Sequence, residues 1–314
     1  MKKIIIKLSI LILILFTSDR LIAYFFSGYV FKYTMSGESG GSINYLIKNK
    51  KNIDFLIMGS SRAKHHINPA LLSDLYGGNG YNAGLNGTGG VVYANLLLNL
   101  LIDKGIVPKM LVLQTDAYPY YLNENSNIYA EIATLYPFIN ESNKLKKLIE
   151  ENTDYAEKIK LALYSYRFNG KFLNIIYNYP KRNSIKDNTG FEGRPEKLDT
   201  TGFRLLGDNE KPHKLSAVKL KALQNIIQTC KDNNIKLAIV LPPSYRNNIY
   251  WKAGNDAIID VMHKNGVNNI YDFSDVNKYP ALQPKEMWKD ITHLNNDGAT
   301  LFSLMINDSL KHFR

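Results

Sequence analysis

Five short apolar runs lie along the chain: Ile53–Met58, Tyr81–Ala83, Met110–Leu113, Leu237–Leu241 and Ile270–Phe273. They contain few polar positions, as expected of strands buried on both faces. Between them the apolar residues change to helical spacing. Leu215–Lys231 places Leu215, Val218, Ala222 and Ile226 on one face, and Gly90–Asp103 is strongly apolar. Asn255–His263 and Gly298–Lys311 are further helical segments, and Pro69–Tyr76 a short one. Strands that alternate with helices predict an α/β fold, a doubly wound, mostly parallel five-stranded sheet flanked by helices, with right-handed crossovers.

The segment at about 118–213 breaks this alternation. It is rich in Tyr and Asn, has no clear strand and includes loop material such as Asp187–Pro195, so it reads as a helical insertion between the third and fourth strands. No repeat at solenoid or propeller period is present.

At the N-terminus, Lys2, Lys3 and Lys7 precede the apolar run Leu8–Phe16, and a second patch, Leu21–Phe26, follows Asp19 and Arg20. One helix over Ile4–Phe26 has a length of about 34 Å, enough to cross a bilayer. No small-x-small cleavage site follows, so residues 1–27 are expected to form a single N-terminal membrane helix that is retained. The lysines place its start in the cytoplasm and residues 28–314 outside it. Asp19 and Arg20 are the least comfortable positions of that helix.

Composition narrows the function classes. With 314 residues, 45% hydrophobic and 21% charged, the chain is long and apolar enough for a sizeable core. The net charge of +11 is spread over helix-like segments without a basic, aromatic-interleaved stripe, so no nucleic-acid partner is expected. Anionic headgroups or acidic envelope polymers are better matched. Cys230 is the only cysteine, which excludes an intramolecular disulfide and a cysteine zinc cluster. His65 and His66 are adjacent, point in different directions and have no carboxylate at useful spacing, so no metal is expected. The glycine run Gly77–Gly90 lacks both the Gly-Lys-Ser/Thr of a P-loop and the downstream acidic residue of a dinucleotide fold, and no cofactor is expected. Tyr118, Tyr120, Tyr121, Tyr164, Tyr166, Trp251 and Trp288 are read as packing residues more than as sugar-stacking ones.

Two segments carry chemistry. The strand Ile53–Met58 runs into Gly59-Ser60-Ser61, and at the carboxyl end of a parallel strand a glycine permits the tight turn that presents the next side chain to solvent. Ser60 or Ser61 is a candidate nucleophile; the bland alternative is that both serines cap a turn or the helix near Pro69. Near the other end, Asp290-Ile-Thr-His293 places a carboxylate three residues before a histidine, close enough to hold its second ring nitrogen. Asn295, Asn296 or Asp297 then caps the last helix and steadies the loop.

Together with Asn82 and Gly87 between them, these segments resemble the signature blocks of SGNH (GDSL-like) hydrolases. Gly59-Ser60-Ser61 stands for the first block and Asn82 with Gly87 for the second. Asp290 and His293, followed by Leu294, Asn295 and Gly298, stand for the last. The third block departs, since Thr115 of Leu113-Gln114-Thr115-Asp116 occupies the place of the usual oxyanion-binding Asn. A Gly-Ser-Ser first block with a degenerate third is similar to the branch of cell-surface polysaccharide O-acetyltransferases and esterases and of teichoic-acid D-alanylation proteins.

The resemblance implies a catalytic triad of Ser61, Asp290 and His293. It implies an oxyanion site from the N–H groups of Ser61 and Gly87, with Thr115 or Asn86 supplying the missing donor, whose loss otherwise costs about 3–4 kcal/mol. The implied activity is serine-dependent acyl transfer, as esterase or O-acyltransferase, on an ester-modified envelope polysaccharide or other acylated glycan. A transferase would need a multi-pass membrane partner to deliver the acyl donor. The alternative is a catalytically inactive SGNH-fold protein that binds carbohydrate or acts as an envelope scaffold, motivated by the altered third block.

Overall fold

The computed structural model describes residues 1–72, 78–117, 120, 124–179, 189–198, 215–245 and 249–311, with backbone alone at 124–127 and 249–251. Five strands, β1 (Phe55–Met58), β2 (Gly80–Asn82), β3 (Met110–Gln114), β4 (Lys236–Leu241) and β5 (Ile270–Asp272), form one sheet in the order β2-β1-β3-β4-β5. Every neighbouring pair is parallel. The described helices are α1 (Lys2–Phe25), α2 (Gly41–Asn49), α3 (Ser61–His66), α4 (Val91–Asp103), α5 (Glu124–Ala133), α6 (Asn143–Glu151), α7 (Tyr155–Leu161), α8 (Phe172–Asn178), α9 (Ala217–Asp232), α10 (Ile249–Lys264) and α11 (Asn296–Leu310).

The strand order reverses at β1, so right-handed crossovers carry α3 to one face and α4 to the other. On the α3 face, Phe55, Ile57, Met110, Val112, Ala238 and Val240 pack with Ala63 of α3 and with Phe302, Ile306 and Leu310 of α11. The alternate strand residues Leu56, Met58, Leu111, Leu113 and Ile239 are equally buried and face the other way, toward the side on which α4 and α9 pack together. Reversal between β1 and β3 opens a crevice at their carboxyl ends, the place where parallel sheets bind ligands.

The chain divides into two compact units. One comprises Met1–Asn49 and Ile132–Lys186; the other, which holds the sheet, comprises Lys50–Glu131 and Asp187–Arg314. Residues 28–49 thus group with α1 and not with the sheet, and 132–186 accounts for the middle of the expected insertion at 118–213. Its described part is helical and contains no strand, while the flanks at 118–119, 121–123, 180–188 and 199–213 lie outside the described residues. Thr189–Leu198, read in the sequence as part of that insertion, belongs to the sheet unit. Likewise Pro69–Tyr76 is a 3-10 turn at Pro69–Leu71, its last residues lying outside the description.

Within the first unit, α1 ends against the segment before α8. The Asp19 carboxylate accepts from the Tyr164 N–H at 2.8 Å, the Ser165 N–H at 2.9 Å and the Ser165 hydroxyl, and pairs with Arg20 at 2.7 Å. Arg20 also donates to the Ala162 carbonyl at 2.8 Å. The two charges that burden a membrane helix are therefore satisfied inside the unit. Among the described residues no helix is long and apolar enough to cross a membrane. In α1 the charge-free stretch between Lys7 and Asp19 is only about 16 Å long, against about 30 Å of hydrocarbon. The expected membrane-spanning N-terminal helix is thus unsupported by the apolarity of α1.

Candidate active site

The strand β1 ends at Met58, and Gly59 turns the chain with φ +147°, a conformation that favours glycine. A Cβ there would stand 2.5 Å from the Gln114 carbonyl, so the turn lies flush on β3. Helix α3 then starts at Ser61, earlier than the sequence suggests, because Ser60 caps it: the Ser60 Oγ accepts from the Arg62 N–H at 3.2 Å. Gln114 Oε1 accepts from the Ser60 N–H at 3.0 Å, the Ser60 hydroxyl at 2.8 Å and the Ala63 N–H at 3.2 Å. Its Nε2 donates to Asp116, which also pairs with Arg62 at 2.9 Å in a buried ion pair. Ser60 is thereby occupied in holding the turn.

Ser61, the first residue of α3, is half-buried, and its Oγ lies 2.8 Å from His293 Nε2. On the far side of the ring, Nδ1 is 2.9 and 3.0 Å from the two Asp290 oxygens. Because a carboxylate only accepts, Nδ1 carries the proton and Nε2 is left to accept from Ser61. Burial raises the Asp290 carboxyl, but hydrogen bonds from His293 and from the Thr292 N–H and hydroxyl outweigh it and hold the group well below the ordinary carboxylate range. The loop that carries them is closed by the Lys289 N–H on the His293 carbonyl at 2.9 Å and anchored by buried Trp288, whose Nε1 donates to the Leu282 carbonyl. Asn295 caps α11 through the N–H groups of Asp297 and Gly298, both at 3.1 Å.

Three further groups steady this arrangement. His66 Nε2 accepts from the Leu294 N–H at 3.1 Å, linking α3 to the loop of His293. Asn82 Nδ2 donates to the Ala63 and Ile67 carbonyls, both at 2.7 Å, and its Oδ1 accepts from the Gly84 N–H, so this buried Asn holds the end of α3. Gly90 caps α4 with φ +77°, and a Cβ there would stand 2.3 Å from the Gly59 carbonyl. The orphan N–H groups of Val92 and Tyr93 in the first turn of α4 are bound by the buried Glu131 carboxylate at 2.7 and 2.9 Å. Burial raises the Glu131 carboxyl more than these bonds lower it.

The expected oxyanion residues are placed differently from one another. Asn86 and Gly87 lie on the loop between Leu85, whose N–H bonds the Gly59 carbonyl at 3.0 Å, and Gly90, so both ends of the loop rest on the nucleophile turn. Gly87 is exposed, and Asn86 Nδ2 is 3.5 Å from Glu192. Thr115 is 1% exposed, and its hydroxyl is engaged with the Tyr120 hydroxyl at 3.3 Å.

Thr189–Leu198 is the part of the site that the sequence did not reveal. Its backbone bonds β2 (Asn82 N–H to Thr189 carbonyl), α3 (Glu192 N–H to Lys64 carbonyl), α11 (Asn296 N–H to Arg194 carbonyl) and the histidine loop (Leu198 N–H to Trp288 carbonyl). Arg194 donates to His65 Nε2 at 2.9 Å, and His65 Nδ1 donates in turn to the Glu192 carbonyl at 2.6 Å. Burial, with Arg194 adding to it against the Glu192 bond, pushes His65 down to about 4; burial also holds His66 far below the usual histidine range. Both rings flank His293, with centroids 5.9 and 6.0 Å away, and both are neutral at neutral pH, so neither repels a proton arriving on His293. Among the described residues no group of His, Cys, Asp and Glu could hold a metal. Of the aromatic candidates, Tyr120 and Trp288 are buried and Tyr164 and Tyr166 are half-buried in the first unit; Tyr118, Tyr121 and the Trp251 side chain lie outside the described residues.

No protein-family model matches the chain. No curated protein is significantly similar to it.

Proposed function

We propose that the protein is a serine-dependent acyl-transfer enzyme of SGNH type, an esterase or O-acyltransferase, with Ser61 as nucleophile, His293 as general base and Asp290 as its orienting carboxylate. The observation that carries this reading is the 2.8 Å approach of Ser61 Oγ to His293 Nε2, on a ring whose other nitrogen is held by Asp290. His293 takes the Ser61 proton as Oγ attacks the ester carbonyl. The oxyanion is met by the N–H groups of Ser61 and Gly87, with Asn86 beside them. His293 then returns the proton to the departing alkoxide, leaving an ester on Ser61. Water or a sugar hydroxyl, deprotonated by the same ring, resolves it.

The acyl carrier or acceptor is an envelope polysaccharide or other acylated glycan, and a transferase draws its acyl group from a multi-pass membrane partner. The sheet unit works outside the cytoplasm, tethered to the membrane through α1. Support for the tether is the surface of α1 itself: Ile4 to Phe16 includes eleven large apolar residues that are each 47% or more exposed, on all sides of the helix.

One observation favours a second reading, a carbohydrate-binding or scaffold protein without turnover: the Thr115 hydroxyl is committed to Tyr120. p-Nitrophenyl acetate separates the two. The enzyme gives phenolate release that Ser61→Ala abolishes and an acetyl adduct of Ser61 by intact mass; a binding module gives neither.

A further inference from the structure

Exposed large apolar side chains are distributed unevenly between the two units. Among the described residues all of them except Val107 and Leu304 lie in the unit of α1. Those of α1 are accompanied by two further stripes. On α7 and just beyond it, Tyr155, Ile159 and Leu163 repeat every fourth residue and are 78%, 56% and 45% exposed. On α8, Phe172, Leu173, Ile176 and Tyr177 form two adjacent rows, with Leu173 80% exposed, while Ile175 on the opposite side is buried. The first residue of α8 and the segment that follows α7 are both held at the end of α1: Phe172 stacks on Phe26 at 4.4 Å, and Arg20 lies 3.8 Å over the Tyr164 ring. Tyr24, Phe25, Tyr29 and Tyr33 extend the exposed aromatic surface. Apart from Lys2, Lys3 and Lys7 at the far end of α1, the same unit has thirteen Lys and Arg against seven Asp and Glu, an excess of six positive charges.

Apolar stripes on short helices, exposed tyrosines and a concentrated positive charge together match the interface of an anionic bilayer, where rings sit at headgroup level and lysines meet phosphate. We propose that α7 and α8 lie in the interfacial layer of an anionic membrane beside α1, so that the protein rests on the lipid surface through a platform and not through one helix alone. The proposal rests on the membrane location argued above. It also compensates for the short charge-free stretch of α1, because binding grows with the apolar area inserted.

The test uses the full chain in phosphatidylcholine–phosphatidylglycerol vesicles, with an environment-sensitive fluorophore on a cysteine introduced at Ile159→Cys, Leu173→Cys, Tyr177→Cys or Ile10→Cys. Cys230 is buried and its thiol pushed up to about 12, so it stays unlabelled. The positions are exposed, and helicity by circular dichroism verifies each variant. The expected result is that lipid-borne doxyl quenches labels at 159, 173 and 177 at least about twofold more than aqueous iodide does. Doxyl quenching at 10 alone, with iodide reaching 159, 173 and 177, overturns the platform and leaves the tether standing. Doxyl quenching at 159, 173 and 177 without quenching at 10 supports the platform and removes the tether. Labels at 159, 173 and 177 shielded from both quenchers mean that a protein, such as a second copy of this chain, covers the stripes, and the proposal falls.

Discussion

His66 Nε2 accepts the backbone N–H of Leu294 at 3.1 Å, so the helix that begins with Ser61 is bonded directly to the loop that ends with His293. The separation of nucleophile and base is therefore set by a contact outside the triad. His66→Phe keeps the bulk of the ring but leaves a buried N–H unpaired, at a cost of about 1–3 kcal/mol. We expect a lower melting temperature and a fall in kcat on p-nitrophenyl acetate with little change in KM. An unchanged kcat would show that the loop is positioned without this bond.

Ser60 and Ser61 separate cleanly by partner. Ser61→Ala should remove activity, a loss on the order of a million-fold for a nucleophile of this kind. Ser60→Ala should retain it but destabilise the fold by about 1 kcal/mol, the value of a lost N-cap. Steady-state rates and urea midpoints on both variants decide the matter, and the assignment of Ser61 would be reversed by the opposite pattern.

Gly90→Ala places a Cβ 2.3 Å from the Gly59 carbonyl and 2.6 Å from the Ser60 nitrogen, against backbone that has no flexible end to yield. A destabilisation of about 1–3 kcal/mol is expected, together with reduced turnover, because the nucleophile turn must move. Wild-type kcat in a destabilised Gly90→Ala would separate packing from positioning and count against the second role.

Asp290→Asn should lower kcat by between roughly tenfold and ten-thousand-fold without unfolding the protein, since the amide no longer enforces the Nδ1–H tautomer. The Asp290 carboxyl is held below its unfolded value, so its stabilising contribution is present above about pH 3.9 and lost as the pH falls further. The deficit of the variant should therefore persist across pH 5 to 8, measured as kcat at saturating ester.

His65 titrates at about 4 in the folded protein and at about 6.5 when unfolded. Between those values the unfolded chain binds the extra proton, so stability is highest above about pH 6.5 and declines as the pH is lowered toward 4, with buried His66 acting in the same direction. Denaturation midpoints between pH 7 and 4 should fall more steeply for the wild type than for a His65→Gln variant; parallel curves would deny His65 this role.

The sequence by itself determined the elements that depend on local pattern. All five apolar runs contain strands: β1, β2, β3 and most of β4 are buried, as apolar runs without alternation predict, while β5 at the sheet edge is half-buried to exposed. The Asp290–His293 spacing brings carboxylate and ring together because three residues in a tight loop allow it. It also carried the two blocks whose meeting defines the candidate site. Residue pattern alone leaves Ser60 and Ser61 open and the resemblance implies Ser61; the tertiary structure supplies the physical reason that it is Ser61 that faces His293. Ser60 and Ser61 are chemically alike in sequence, and what distinguishes them is Gln114, distant along the chain but adjacent across the β1–β3 pairing, which binds Ser60. The same holds for Thr189–Leu198, irregular backbone with no periodicity to read, whose place is set by bonds to strand, helix and loop ends far away in the chain. The charges of Asp19 and Arg20, costly for a helix considered alone, become tolerable through Ala162, Tyr164 and Ser165, whose approach no local pattern encodes. Local propensity acts over a few residues; these contacts span from 54 to 146, and only the folded chain brings their partners together.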